Sequence, residues 1–269
     1  MKIDGSGTTR ATAMLCPNPG PMTLDGTNTW VVREPDAHGV VVVDPGPHHE
    51  RHLERVARSL QERGAHVELV LLTHHHPDHA EGAPYFAELT GAPVRAVDPD
   101  LVVGDTDSLR DGETIKVAGL ELRVVATPGH TPDSVSFHLP ADRSILTGDT
   151  VLGRGSTVLG EAGLGDYMDT LARLEDLIAQ AGVVTLLPGH GPLISDAAGA
   201  IATYRGHRQE RLDQIRAAIE AGARSPREIV ARVYTEIDDT LIGPALASVR
   251  AQLDFLRSRG ETPDDLRFD

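Results

Sequence analysis

Five side chains that suit divalent metals fall within six residues of this chain: His74, His75, His76, Asp78 and His79. Imidazole and carboxylate are ligands for Zn²⁺ at roughly 2.0–2.2 Å. The apolar run Val67 to Leu72, interrupted by Glu68, ends abruptly at Thr73. It reads as a buried strand whose rigid end delivers several side chains to one point. A histidine-rich surface loop is the bland reading. Pro77, which stiffens the turn, and the Asp-His pair that follows it weigh against that reading. We take the run as a metal site.

The order Thr73-His74-x-His76-x-Asp78-His79 after a strand resembles the signature of the metallo-β-lactamase superfamily. Further residues resemble that family's remaining elements, in its order. They are Asp44 of Asp-Pro-Gly after Val40 to Val43, His130 of Thr-Pro-Gly-His, Asp149 of Leu-Thr-Gly-Asp and His190 of Leu-Pro-Gly-His. The resemblance implies two Zn²⁺ per chain, one on His74, His76 and His130 and the other on Asp78, His79 and His190, with Asp149 bridging. Two ions about 3.5–4 Å apart share a hydroxide and clamp the attacking and leaving oxygens. In that scheme Asp149 and Asp78 are the catalytic carboxylates, Asp78 orienting the hydroxide. Asp44 stands behind the ligands and fixes an imidazole tautomer. His75 is expected to point away.

Departures narrow the resemblance. Flavo-diiron oxidoreductases of this fold carry Glu where His76 stands, and the principal zinc β-lactamases carry Cys where Asp149 stands. Only 40 residues separate Asp149 from His190, too few for the large inserted domain of one RNA-processing branch. Asn18 to Thr29 (NPGPMTLDGTNT), Gly148 to Gly153 and Gly165 to Met168 resemble the beta-lactamase-like protein 2 type. That type includes endoribonucleases acting on single-stranded RNA, and related proteins are described as thioesterases. The alternative is a thioesterase of the glyoxalase II type acting on small acyl thioesters, which shares the triplet His74-His75-His76. The bond cleaved therefore stays open among ester, thioester and phosphodiester. Gly153 to Gly160 (GRGSTVLG) lacks the P-loop Lys-Ser/Thr pattern and reads as a substrate-facing loop.

Around these residues, strands are expected at Thr8 to Leu15, Thr27 to Val32, Val40 to Asp44, Thr114 to Val117, Leu120 to Ala126, Ser134 to Leu139, Ser144 to Leu146 and Val183 to Leu187. Helices are expected at His48 to Gly64, Pro84 to Thr90 and Tyr167 to Gln180. His48, His49, His52 and His66, on or near the first helix, read as solvated or capping. Two runs of strands with interspersed helices argue for an α/β fold of two packed sheets with helices outside. That matches the αββα sandwich the resemblance implies, over residues 1–194. Residues 195–269 change to helices: Ala198 to Glu220, Pro226 to Tyr234 behind the capping box Ser225-Pro226-Arg227-Glu228, and Leu241 to Arg259. They resemble a winged-helix segment with a poor wing over Glu261 to Asp269. As a nucleic-acid reader, the segment would set Arg205, Arg208 and Arg211 on phosphates. As a cap over the cleft, it would leave them a solvated face balanced by Glu210 and Asp213; we prefer the cap.

Composition sets outer bounds. The 269 residues carry a net charge of −15, and residues 1–194 hold 27 acidic against 14 basic groups. A surface so acidic disfavours broad affinity for nucleic acid. The lone Cys16 allows no internal disulfide, and no run suits a signal peptide or a membrane span, so a cytoplasmic protein without membrane partners is expected. A small molecule or single-stranded RNA is the expected substrate; the oligomeric state is not legible.

Overall fold

Val40 to Val43 are four consecutive valines, all fully buried. A strand covered on both faces needs no alternation of polar and apolar residues. In the computed structural model, which describes residues 3–159, 162–235, 237–263 and 265–267, they form β3 (Gly39–Val43) at the centre of a five-stranded sheet. Its neighbours are β1 (Ala11–Leu15), β2 (Asn28–Val32), β4 (His66–Leu71) and the two-residue β5 (Val94–Arg95), in the order β1-β2-β3-β4-β5. β1, β2 and β3 pair antiparallel, with Trp30 opposite Val43, whereas β3 to β4 and β4 to β5 are parallel. Between β3 and β4 runs α1 (Glu50–Gln61); between β4 and β5 run the single turn α2 (Pro77–Ala80) and α3 (Ala83–Thr90).

The second sheet has the order β10-β9-β8-β7-β6, from β6 (Thr114–Val117), β7 (Leu120–Ala126), β8 (Val135–Leu139), β9 (Ser144–Gly148) and β10 (Thr185–Pro188). All its pairs are antiparallel except the parallel β9 to β10, which α4 (Leu164–Ala181) connects. Trp30, Val43 and Leu71 of the first sheet share one core with Phe137, Leu139 and Leu187 of the second. Alternate residues of the first sheet, Val40, Val42 and Val70, pack outward on Leu53, Val56 and Phe86 of α1 and α3. Each such large side chain, fully buried, contributes about 1.5–3 kcal/mol of transfer free energy. The expected αββα sandwich is thus present.

Three helices follow: α5 (Ala197–Glu220), α6 (Pro226–Val233) and α7 (Ile242–Ser258). No strand follows β10 among the described residues. Of the expected wing, Asp264, Phe268 and Asp269 lie outside them. Ser225 caps α6 by accepting from Glu228 N, and Glu228 Oε2 accepts from Arg224 N at 2.8 Å, close to the expected capping box. Leu212, Ile215, Val249 and Leu253 of α5 and α7 join Leu171 and Leu174 of α4, and Ile145 and Leu186 of the second sheet, in one continuous core. Among the described residues no helix is long and apolar enough to cross a membrane.

Two sequence expectations change. His52 is neither solvated nor a cap: it is 1 % exposed, its Nε2 2.8 Å from Thr29 Oγ1, because α1 turns it onto the sheet. His49 does cap α1, accepting from His52 N at 3.3 Å. Arg205, Arg208 and Arg211 form no common solvated face. Arg208 is buried, Arg211 lies 4.2 Å from the ring centroid of Tyr234, and Arg205 pairs at the surface with Glu175. β5 was not anticipated, since two residues carry no readable period.

Candidate metal centre

The parallel pairs β3–β4 and β9–β10 end on one edge of the sandwich, and the chain leaves each strand there with a polar side chain. Asp44 follows β3, Thr73 to His76 follow β4, Asp149 follows β9 and His190 follows β10. His130 lies in the connection from β7 to β8, while Asp78 and His79 ride on α2, which Pro77 opens. The sheets are stitched at this end. Val135 N donates to Thr73 O at 2.8 Å, and Trp30 Nε1 to Pro188 O at 3.0 Å.

All seven residues expected as ligands converge there, in three overlapping groups: His74 with His76 and His130, His74 with His79 and Asp149, and Asp78 with His79 and His190. Hydrogen bonds on the far side of each ring define where its lone pair points. Asp44 accepts from Thr73 N at 2.8 Å, from Thr73 Oγ1 at 2.7 Å and from His79 Nδ1 at 2.9 Å. Its backbone sits in the left-handed region, φ 52°, an uncommon setting for a residue with a Cβ. Having given its proton to Asp44, the Thr73 hydroxyl accepts from His74 Nδ1 at 2.9 Å. His130 Nδ1 donates to Val158 O at 2.9 Å and His190 Nδ1 to Gly26 O at 3.1 Å. With the outer nitrogen of each ring so engaged, the Nε2 atoms of His74, His79, His130 and His190 point inward, bare wherever the ring is neutral.

Those bare nitrogens crowd one another. His74 Nε2 and His130 Nε2 stand 3.1 and 2.9 Å from the same His76 Nδ1, which has at most one proton to offer them. His79 Nε2 stands 3.2 Å from His190 Nε2. Lone pairs at such separations repel unless a cation or a proton lies between them. Asp149 spans both halves: its Oδ1 is 3.4 Å from His79 Nε2, and its Oδ2 is 3.4 Å from His190 Nε2 and 3.7 Å from His130 Nε2. Asp149 Oδ1 is buried and accepts no hydrogen bond among the described residues. Asp78 Oδ2 approaches His190 Nε2 at 3.1 Å. The donor set fits metal ions.

Electrostatics agree. Burial drives the His74 imidazole far toward its neutral form and lowers His130 likewise, the form a metal requires. Burial also opposes a charge on His190, but Asp149 overrides it and raises this ring to about 9. Asp149 itself is held well below the usual carboxylate range, since His190 and His79 outweigh its burial. This half of the site draws positive charge to itself.

Glycine permits the closeness at two points. A Cβ on Gly189 would stand 2.6 Å from both Asp149 Oδ1 and His79 Cε1. Gly129, just before His130, has φ +143° and abuts Tyr167, which a Cβ would meet at 2.5 Å. His75 turns away, its Nδ1 2.7 Å from Asp133 Oδ1.

The sequence model of the Metallo-beta-lactamase superfamily matches residues 22–190, which hold every residue of this cluster. The chain belongs to that superfamily. It is accordingly a metal-dependent hydrolase. Among its relatives, a beta-lactamase-like protein 2 homolog of Caenorhabditis elegans is 33% identical over 76% of this chain and 69% of its own. An atrochrysone carboxyl ACP thioesterase of Aspergillus chevalieri is 32% identical over 89% of this chain and 78% of its own. A metallo-beta-lactamase family protein from Thermus thermophilus superimposes with a TM-score of 0.77 at 25% identity, covering 93% of this chain and 94% of that one. That likeness extends past the family match, into the C-terminal helices.

Residues not singled out in the sequence complete the metallo-β-lactamase site. Asn28 Nδ2 donates to Pro188 O and Gly191 O, at 2.9 and 2.8 Å, and so clamps the turn bearing His190. Tyr167 of α4 donates to Thr150 O at 2.7 Å, and Tyr204 of α5 accepts from Leu152 N at 2.8 Å, bracing the segment after Asp149. Asn28 and Tyr167 stand inside the motifs quoted above; nothing local marks Tyr204. Beside His130 and Asp149 opens a cavity of about 410 Å³. Leu24 and Leu152 of the sandwich and Ile237, Leu241 and Ala245 of the C-terminal segment give it apolar walls. Arg154 to Val158 line it too; Gly160 of the same Gly-rich stretch lies outside the described residues.

Proposed function

We propose that the protein hydrolyses acyl thioesters, with one zinc ion on His74, His76 and His130, a second on Asp78, His79 and His190, and Asp149 shared. Bound zinc supplies a hydroxide nucleophile near neutral pH and polarises the carbonyl under attack. The chain's own residues set the rest. Asp44 and Thr73 hold His79 and His74 in the tautomers that present Nε2 inward. Asp78, only partly buried where Asp149 is deep, is the carboxylate placed to hold a proton of the attacking water.

The observation that carries the substrate class is the cavity. Its walls are mainly apolar and open onto His130 and Asp149, so an acyl chain can be desolvated there with its carbonyl at the metal ligands. The C-terminal helices supply much of that wall, the part of a cap rather than of a nucleic-acid reader. The thioesterase among the relatives supports the same class.

A single-stranded RNA substrate is the second reading, favoured by Arg154, Arg208 and Arg211 around the cavity. Against it, Arg154 is paired with Asp25 at 2.7 Å and Arg211 is stacked on Tyr234, so neither is free to meet a backbone. A parallel assay of zinc-loaded protein on N-acetylcysteamine thioesters, single-stranded RNA and a β-lactam decides between them. Thioester turnover at least about tenfold above the others is expected, a difference of roughly 1.4 kcal/mol in barrier; RNA cleavage without thioester turnover would reverse the assignment.

A further inference from the structure

The cavity beside the metal ligands contains a buried cation with no counter-ion among the described residues. Arg208 is 3 % exposed. Its Nη2 donates to Thr157 O at 2.5 Å. Its guanidinium carbon stands 5.0 Å from the ring centroid of Tyr167, and its Nε is buried without an acceptor. Other arginines of α5 are partnered by carboxylates, Arg205 by Glu175 and Arg216 by Asp213 and Glu261. Among the described residues Arg208 pairs with none, and neither does its cavity neighbour Arg211, which hydrogen-bonds Val233 O and Gln214. Among the described residues the one acidic residue on the cavity wall is Asp149, which is engaged with imidazoles.

A buried guanidinium without an anion is expensive for the fold, and stacking on Tyr167 offsets only part of that cost. In a protein with 40 acidic residues, a cavity wall with Arg208 and Arg211, neither paired with a carboxylate among the described residues, is a local reversal of sign. An arginine with an open edge matches a carboxylate, which it can bind through two N–H groups.

We propose that Arg208 binds a carboxylate on the acyl part of the substrate, so that thioesters of short dicarboxylic acids are preferred over neutral acyl thioesters. This rests on the thioester reading above. Thr157, whose carbonyl holds Arg208, also donates its hydroxyl to Asp149 O. Occupation of the carboxylate subsite therefore bears directly on the segment that positions Asp149.

Two measurements test this. In the first, the zinc-loaded protein hydrolyses glutaryl-N-acetylcysteamine and the methyl ester of the same glutaryl thioester. The wild type is expected to favour the free carboxylate at least about tenfold in kcat/KM, chiefly through KM, the worth of one charge-assisted hydrogen bond in a desolvated site. Arg208→Gln should abolish that preference and Arg208→Lys recover part of it. In the second, calorimetric titration compares glutarate with monomethyl glutarate, both of which keep one carboxylate for the metals. Tighter binding of glutarate is expected in the wild type and equal binding in Arg208→Gln. Equal handling of both ligands by the wild type, which requires no variant to fold, overturns the proposal. Absence of any thioester turnover would instead sink the thioester reading, and the titration alone would then decide whether Arg208 binds a carboxylate.

Discussion

Asp44 is buried behind the metal ligands, yet it sets the direction of two of them. One of its oxygens serves Thr73 N, and the other takes the Thr73 hydroxyl and His79 Nδ1. Asp44→Asn replaces an acceptor by an N–H that must face another donor. Outer partners of this kind are worth about 10–100-fold in metal affinity, so we expect a loss of that size, read by competition against a chelator. An unchanged affinity would show that the tautomers are set elsewhere. Asp149 lies closer to the chemistry, since alone among the described carboxylates it approaches histidines of both halves. Asp149→Ala should lose turnover on any substrate and retain at most one tightly held ion; most of the activity surviving would refute its shared position.

Among the elements, α5 is the one whose work was hardest to foresee. Tyr204 reaches from it to Leu152 N, and Arg208 to Thr157 O, so a helix outside the family match steadies the segment that begins at Asp149. Tyr204→Phe leaves a buried N–H short of its acceptor, a cost of about 1–3 kcal/mol. A melting temperature lower by several degrees, with the metal content kept, is the expected result of differential scanning calorimetry. The strand-end ligands were legible because each is short-range: an apolar run, a stop, then His or Asp, as at Leu72-Thr73-His74 and Thr147-Gly148-Asp149. The roles of Tyr204 and Arg208 depend on which face of a 24-residue helix meets the sandwich, and that is decided by packing. His52 was misread for the same reason, the side of α1 it occupies being a tertiary fact.

For the molecule as a whole, His52 makes stability depend on pH. Burial, helped by nearby Arg55 and His49, pushes its imidazole down to about 4, against about 6.5 in an unfolded chain. Above about pH 6.5 both states are neutral and nothing is lost. Between about 6.5 and 4 the unfolded chain takes a proton that the folded one refuses, so stability declines as pH falls, by up to about 3 kcal/mol. Denaturant melts of wild type and His52→Gln at about pH 7.5 and 4.5, either side of most of that window, isolate this contribution. The variant should be weaker at the higher pH, through the lost bond to Thr29, and lose less on acidification; parallel losses in both proteins would remove His52 as the cause.

The most direct measurement is the metal content of protein purified without chelator, by elemental analysis against chain concentration. Seven ligands in overlapping groups exceed one tetrahedral set, and the account predicts about two ions per chain, zinc among them, with activity rising as the second binds. A value that stays near one ion per chain at full activity would contradict it.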